Sequence, residues 1–107
     1  MERNRYMRLL VFFDLPNVER KDKREYRRFL KFLTGEGFIM MQESLYCKLL
    51  TNYGAASLEL EKVRKNKTKD GLIQAMVITE KQYEDIEYII GEKNFEKMDS
   101  LERVLVL

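Results

Sequence analysis

One carboxylate stands out by its position. Asp14 ends the apolar run from Leu9 to Phe13, and Leu15 and Pro16 follow it at once. A carboxylate held rigidly at the end of a buried strand could coordinate a divalent cation. The same residue could instead cap the next helix or form an Asx turn before the proline. The residue types alone favour the local cap and leave the metal ligand open.

The missing residue types narrow the chemistry further. The chain of 107 residues contains no histidine and one cysteine, Cys47. Histidine-based triads and the usual zinc sites are therefore excluded, and a metal would have to be held by oxygen atoms. Oxygen ligands point to magnesium, manganese or calcium, and the cofactor we expect is Mg²⁺ or Mn²⁺. One carboxylate is a poor site alone, but two copies of Asp14 meeting at a two-fold axis could share a metal that activates water on a phosphodiester.

Charge is segregated along the chain, although the formal net charge is only +2. Residues 20–31 and 62–69 are rich in lysine and arginine, whereas 80–102 are mainly acidic. Such blocks favour a two-faced surface that binds nucleic acid, but solvated helix faces would give the same pattern.

No apolar run reaches the roughly 20 residues that span a bilayer. We expect a soluble, cytoplasmic protein without a membrane partner, and the lone Cys47 suits a reducing compartment.

Apolar periodicity predicts the elements that must position these residues. Residues 6–13 form a first strand, which Pro16 ends near Asp14. Asn17 caps the following helix, and Gly35 and Gly37 stop it. The core-facing stripe of that helix comprises Tyr26, Phe29, Leu30 and Leu33.

The second half of the chain continues in the same manner. Residues 38–42 and 44–50 form two strands of a hairpin, 52–66 form a helix, and 72–79 form a fourth strand. Residues 86–90 form a further strand or a helix end, and 103–107 form a strand at the C-terminus. The order predicts an α+β, ferredoxin-like (split βαβ) antiparallel sheet with both helices on one face and an extra C-terminal strand.

This architecture predicts a homodimer. We expect one domain over 1–107, with a tail from about residue 92 that contacts protein by adding a strand to a sheet edge. The sheet face without helices would expose more apolar area than a monomer usually tolerates. A second copy of the chain covering that face would bury it.

Three segments together resemble a known family. They are "YMRLLVFFDLP", the connection "GEGFIMMQESLY" from Gly35 to Tyr46, and "MVITEKQYEDIEYIIGE" from Met76 to Glu92. In order and spacing, and over nearly the whole chain, the sequence resembles the small CRISPR-associated protein of the spacer-acquisition complex. This is the family of metal-dependent CRISPR endonuclease subunit two, in the type II-like version from systems with a single-protein effector.

The resemblance implies a role for particular residues. It implies a ferredoxin-like homodimer that bridges two integrase dimers and holds the double-stranded DNA prespacer. Asp14 matches the family's metal-binding and catalytic aspartate, and Ser44 and Tyr46 match a pair near the same cleft. The family also has a divalent-metal endonuclease activity, although its part in acquisition is architectural.

The basic residues of the first helix gain a function from this resemblance. We expect duplex-backbone contacts from Arg20, Lys21, Lys23, Arg24, Arg27 and Arg28. For Arg27 and Arg28, pairing with an acid such as Glu25 is an equal alternative. A weaker second candidate comprises Lys65, Lys67 and Lys69.

The sequence leaves other interpretations of its function open. Aromatic and methionine side chains could form a stacking platform for single strands, but core or dimer-interface positions are favoured for Phe29, Phe32, Met40, Met41 and Tyr46. The main rival function is a free-standing, toxin-like metal-dependent ribonuclease or deoxyribonuclease. A metabolite-sensing domain is a third reading, which lacks a Gly-rich loop between strand and helix.

Overall fold

The sheet of this protein is fully antiparallel. The computed structural model describes residues 5–92. Its elements are β1 (Met7–Asp14), α1 (Arg20–Gly35), β2 (Ile39–Gln42), β3 (Leu45–Leu50), α2 (Tyr53–Lys65), β4 (Leu72–Thr79) and α3 (Glu80–Glu84). The strand order is β2-β3-β1-β4, and every neighbouring pair runs antiparallel. This confirms the predicted α+β, ferredoxin-like arrangement.

The main core lies between the sheet and the two long helices. Alternate residues of the central strand β1 point to this helix-covered face, and Leu9 and Val11 are fully buried there. Phe29 and Leu33 of α1 pack onto them, and Val63 of α2 completes the layer. The period-2 pattern of β1 and the helical stripe of α1 therefore meet in one core, as the sequence predicts.

The opposite side, which we call the open sheet face, carries the other residues of β1. Leu10, Cys47 and Ile78 form a small buried cluster there. Beyond that cluster the face is apolar but accessible, since Leu72 and Met76 of β4 are 53% and 54% exposed. Asp14 belongs to this face because it pairs with Leu72 across β1 and β4.

The start of α1 differs from the prediction. The helix begins at Arg20 and its N-cap is Glu19, not Asn17. The Glu19 backbone N–H donates to the Asp22 carboxylate at 3.1 Å, so the acid three residues into the helix satisfies one free donor of its first turn. The predicted α2 is confirmed with Asn52 as its N-cap, which accepts from the Ala55 N–H at 2.8 Å.

The region after β4 also differs. A short helix, α3, follows β4 directly, and residues 86–90 form neither a strand nor a helix, so that prediction was wrong. Thr79 and Gln82 form a reciprocal capping box, with bonds of 2.9 and 3.0 Å, that starts α3. The predicted strand over 103–107 and all but the first residue of the 92–107 tail lie outside the described residues. Within 5–92, no helix has the length and apolarity needed to cross a membrane.

Candidate metal pocket and basic surface

Asp14 is the last residue of β1, and its side chain is exposed on the open sheet face. It does not cap α1, which starts with its own capping residue five positions later. Within residues 5–92 the Asp14 carboxylate has no hydrogen bond or ion pair. The local alternative favoured by residue type therefore has no support in the structure, and the carboxylate is available to a ligand.

A shallow pocket of about 200 Å³ surrounds this carboxylate. Its oxygen-bearing side chains are Asp14, Ser44, Gln42 and Gln74, and its apolar lining comprises Phe12, Phe13, Leu45 and Leu72. The Phe13 N–H donates to the Ser44 carbonyl at 3.0 Å and so fixes the β2–β3 turn beside the end of β1. Asp14 and Ser44, both predicted at the site, thus line one pocket.

The donors of this pocket are oxygens, which are the atoms that Mg²⁺ and Mn²⁺ prefer. Mg²⁺ commonly keeps several waters and takes one or two carboxylates together with phosphate oxygens. A single copy supplies one carboxylate here, and residues 5–92 contain no cluster of three acidic or cysteine side chains that could hold a metal. The residues fit an ion that is completed by phosphate or by a second copy, rather than a closed single-chain site.

Tyr46 lies on the other side of the sheet. It pairs with Val11 and is 6% exposed within the main core, where its ring lies 5.6 Å from that of Phe13. Burial raises the pKa of its phenol, as expected for a hydroxyl with little access to water. Tyr46 therefore packs behind the strand that carries Asp14 and does not share its pocket.

Most of the predicted basic cluster is exposed on α1. Within the part of the chain that the structure describes, five of its members form no ion pair: Arg20, Lys21, Lys23, Arg24 and Arg27. Arg28 behaves differently, because it pairs with Glu25 at 3.1 Å and donates to the carbonyls of Asn66 and Lys67. Its hydrogen bond is the main reason why the pKa of Glu25 is lowered.

A second cavity, of about 240 Å³, joins the start of α1 to the turn before β4. Three cations line it: Lys21 and Arg24 from α1, and Lys69 from the turn. Asp22, Glu25 and Asp70 also line it, so the cavity itself is of mixed charge. Lys69 of the weaker basic block thus lies beside the stronger block, which sequence spacing alone did not indicate.

Two charge clusters, one partly buried and one more deeply buried, were not predicted. The Arg8 guanidinium donates two hydrogen bonds, of 2.8 and 3.0 Å, to the Glu80 carboxylate. It also lies 4.0 Å from the Tyr83 ring centroid. Arg8 lies in β1 and Glu80 lies in α3, 72 residues later. The contact therefore holds α3 against the open sheet face. On the helix-covered face Lys48 pairs at 2.9 Å with Glu59, which is 5% exposed. Both clusters depend on partners from different elements, so no local motif reveals them.

Comparison with known proteins identifies the family. The sequence model described as "CRISPR associated protein Cas2" matches residues 7–86, which include the Asp14 pocket, the α1 basic cluster and α3. The chain belongs to the Cas2 family.

Several Cas2 relatives match along almost their whole length, and each is named "CRISPR-associated endoribonuclease Cas2". The protein from Treponema denticola is 42% identical over 101 residues, covering 94% of this chain and 100% of the relative. The protein from Ligilactobacillus salivarius is 38% identical with the same coverage. A Streptococcus mutans protein is also 38% identical, over 94% of this chain and 93% of its own. The resemblance to this family carried by the three sequence segments is confirmed, and the type II-like version stays a prediction.

Proposed function

We propose that this Cas2-family chain is the homodimeric scaffold subunit of a CRISPR adaptation complex. In this function it bridges two integrase dimers and binds the double-stranded prespacer through its phosphate backbone. The observation that carries the proposal is the exposed basic side of α1, where five cations have no acidic partner within residues 5–92: Arg20, Lys21, Lys23, Arg24 and Arg27. Duplex DNA presents closely spaced phosphates, and exposed lysines and arginines bind them without reading sequence.

The open sheet face supports the homodimer. Leu72 and Met76 are about half exposed, and Ile39 and Leu49 add further accessible apolar surface to the same face. An extended apolar surface of this kind is typical of a protein interface. A second copy of the chain is a suitable occupant, because an isologous contact pairs the apolar surface with itself.

A metal at Asp14 follows from the same dimer. Asp14 shares the open sheet face with Leu72, so a two-fold axis near that end of β1 would bring two carboxylates together. Mg²⁺ or Mn²⁺ held there would activate water and stabilise charge on a phosphodiester. Asp14 would bind the ion, and Ser44 could orient its water or a phosphate oxygen at the edge of the pocket.

A free-standing metal-dependent nuclease is the second candidate. The pocket that places Asp14 beside Ser44 favours it, as does the name endoribonuclease carried by the relatives. The substrate in this reading is RNA or DNA, and the reaction is hydrolysis of a phosphodiester.

Two sets of substitutions separate the candidates. One variant carries Asp14→Ala, and the other reverses the charge at Arg20, Lys21, Lys23 and Arg24. Spacer integration is measured with the integrase present, and nuclease activity is measured without it. The scaffold function predicts that Asp14→Ala integrates normally, whereas the charge reversal abolishes integration. If Asp14→Ala alone abolishes integration while complex assembly and DNA binding survive, the nuclease function is correct.

The homodimer is tested by light scattering after size exclusion. The wild type should have twice the chain mass, and Met76→Lys should have the mass of one chain because a charge enters the open sheet face. Leu58→Lys is the control, since Leu58 is an apolar residue of α2 that is more accessible, at 71% exposure, than Met76 at 54%. A monomeric wild type, or equal behaviour of the two variants, refutes the proposed interface.

A further inference from the structure

Arg28 joins two segments that are far apart in the sequence. Its guanidinium Nη2 donates to the carbonyls of Asn66 and Lys67, 38 and 39 residues away, at 3.1 and 3.3 Å. Its Nε also donates to Glu25 one turn earlier in α1, at 3.1 Å. Asn66 is the C-cap of α2, and the carbonyls at a helix C-terminus carry partial negative charge and lack helical donors. Arg28 therefore ties α1 to the end of α2.

This tie determines where the next residues of the chain lie. The turn from 66 to 71 is fixed at its start by Arg28 and within itself by the Thr68 hydroxyl, which donates to the Asp70 carbonyl at 2.9 Å. At its end Gly71 lies directly against the Asp14 carbonyl. Lys69 is held between these points and lines the same cavity as Lys21 and Arg24.

Two of the three acids that line this cavity have partners, and the third, Asp70, is exposed. Asp22 accepts the Glu19 N–H in the capping box, and Glu25 is paired with Arg28. Lys21, Arg24 and Lys69 are exposed and form no ion pair within residues 5–92. The charges of Lys69 and Arg24 both contribute to lowering the pKa of Glu25, which indicates that the two basic segments share one electrostatic environment.

We infer that Lys69 binds a DNA phosphate and that Arg28 is a positioning residue which holds Lys69 beside Lys21 and Arg24. The DNA-binding surface then extends from α1 onto the neighbouring turn before β4. This inference rests on the proposed binding of duplex DNA. It changes the assignment of Arg28, which the sequence placed among the phosphate contacts, and it promotes Lys69 from the weaker block.

The test measures how affinity for a duplex of about 30 base pairs depends on salt. Each phosphate contact that is lost reduces the slope of log K against log salt by about 0.9. Lys69→Gln should reduce the slope by about 0.9 for each copy of the chain that contacts the duplex, or about 1.8 for the proposed homodimer. Arg28→Lys should reduce the slope by the same amount. Lysine keeps the positive charge, but its ammonium cannot bond to Glu25 and to two carbonyls at once, as the planar guanidinium of arginine does. The double variant should show no further reduction, since Arg28 acts through Lys69.

Two controls make the outcomes distinct. Lys81→Gln removes a positive charge at the opposite end of β4 and should leave the slope unchanged, and urea unfolding shows whether each variant is folded. A slope unaffected by Lys69→Gln, or retained in Arg28→Lys, overturns the inference, as does an additive double variant. If Lys21→Gln reduces the slope and Lys69→Gln does not, the inference fails while the proposed function stands. A wild type that does not bind the duplex refutes both.

Discussion

Gly71 lies against the segment that carries Asp14, so adding a single methyl group there perturbs the predicted metal pocket from behind. Its φ is +98°, and a Cβ atom would lie 2.8 Å from the Asp14 carbonyl oxygen. The same atom would lie 2.9 Å from side-chain carbons of Leu15 and Pro16. A backbone oxygen and a proline ring cannot rotate away, so Gly71→Ala must displace this segment or the turn.

Two effects should lower the stability of Gly71→Ala, the positive φ and the overpacking. Gly37→Ala measures the first effect alone. Its φ of +93° is close to that of Gly71, but a Cβ there would meet only the Lys48 Cε at an ordinary 3.8 Å. Gly37→Ala should therefore lose only the conformational penalty, about 1–2 kcal/mol. Gly71→Ala should lose a further 1–3 kcal/mol or so from overpacking. For a domain of this size, each kcal/mol corresponds to a change of about 4–8 °C in Tm.

Urea unfolding followed by far-UV circular dichroism measures both losses, and thermal melts check them. Gly71→Ala should unfold at a clearly lower urea concentration than Gly37→Ala, with the same dependence on denaturant. Equal losses of unfolding free energy in the two variants would refute the packing argument. A stable Gly71→Ala would show that the turn is not held against Asp14 as the structure places it.

Three further predictions concern buried or partly buried groups. Glu59→Gln should lower the unfolding free energy in urea by about 2–4 kcal/mol, because it leaves the half-buried Lys48 ammonium without its carboxylate at 2.9 Å. Arg8→Lys should reduce the protection of α3 amides in hydrogen exchange roughly tenfold, because lysine cannot make both bonds to Glu80. Burial raises the pKa of the Cys47 thiol, so iodoacetamide near pH 8 should alkylate the native protein at least about tenfold more slowly than the urea-unfolded chain.

Each of these predictions has a control within the chain. Glu61→Gln removes the exposed pair with Arg64 and should cost less than about 1 kcal/mol; a Glu59→Gln loss of the same size contradicts the role of the buried pair. For Arg8→Lys, the amides of α2 should keep their protection, and unchanged protection in α3 shows that Arg8 does not hold it. Equal alkylation rates of native and unfolded protein would contradict the burial of Cys47.

Local sequence patterns predicted the helices and strands because each pattern lies within a short stretch of the chain. The alternation in β1 and the helical stripe of α1 each lie within about 15 residues, and Pro16 marks the end of the strand. The start of α1 was missed because Asn17 and Glu19 both precede the helix, and Asp22 at the third helical position favours Glu19. A helix as short as α3 has no apolar period, although its Thr79–Gln82 capping box is a local signal.

The candidate site was only partly accessible from sequence. Ser44 and Tyr46 are two residues apart, which in a continuous strand would place them on one face. Ser44 instead belongs to the turn before β3, so the alternation does not reach it, and Tyr46 points into the core. The cavity beside Asp14 arises where residues of all four strands come together.

The amino-acid sequence determined the fold class, the position of Asp14 at a strand end, the absence of histidine ligands for any metal and the family resemblance. All of these depend on composition, on local order or on spacing along the chain. The contact of the two basic segments through Arg28, the separation of Tyr46 from Asp14 and the fastening of α3 by Arg8 required the folded chain. These contacts join residues up to 72 positions apart. Strand register and helix packing bring such residues together, and no local preference encodes that geometry.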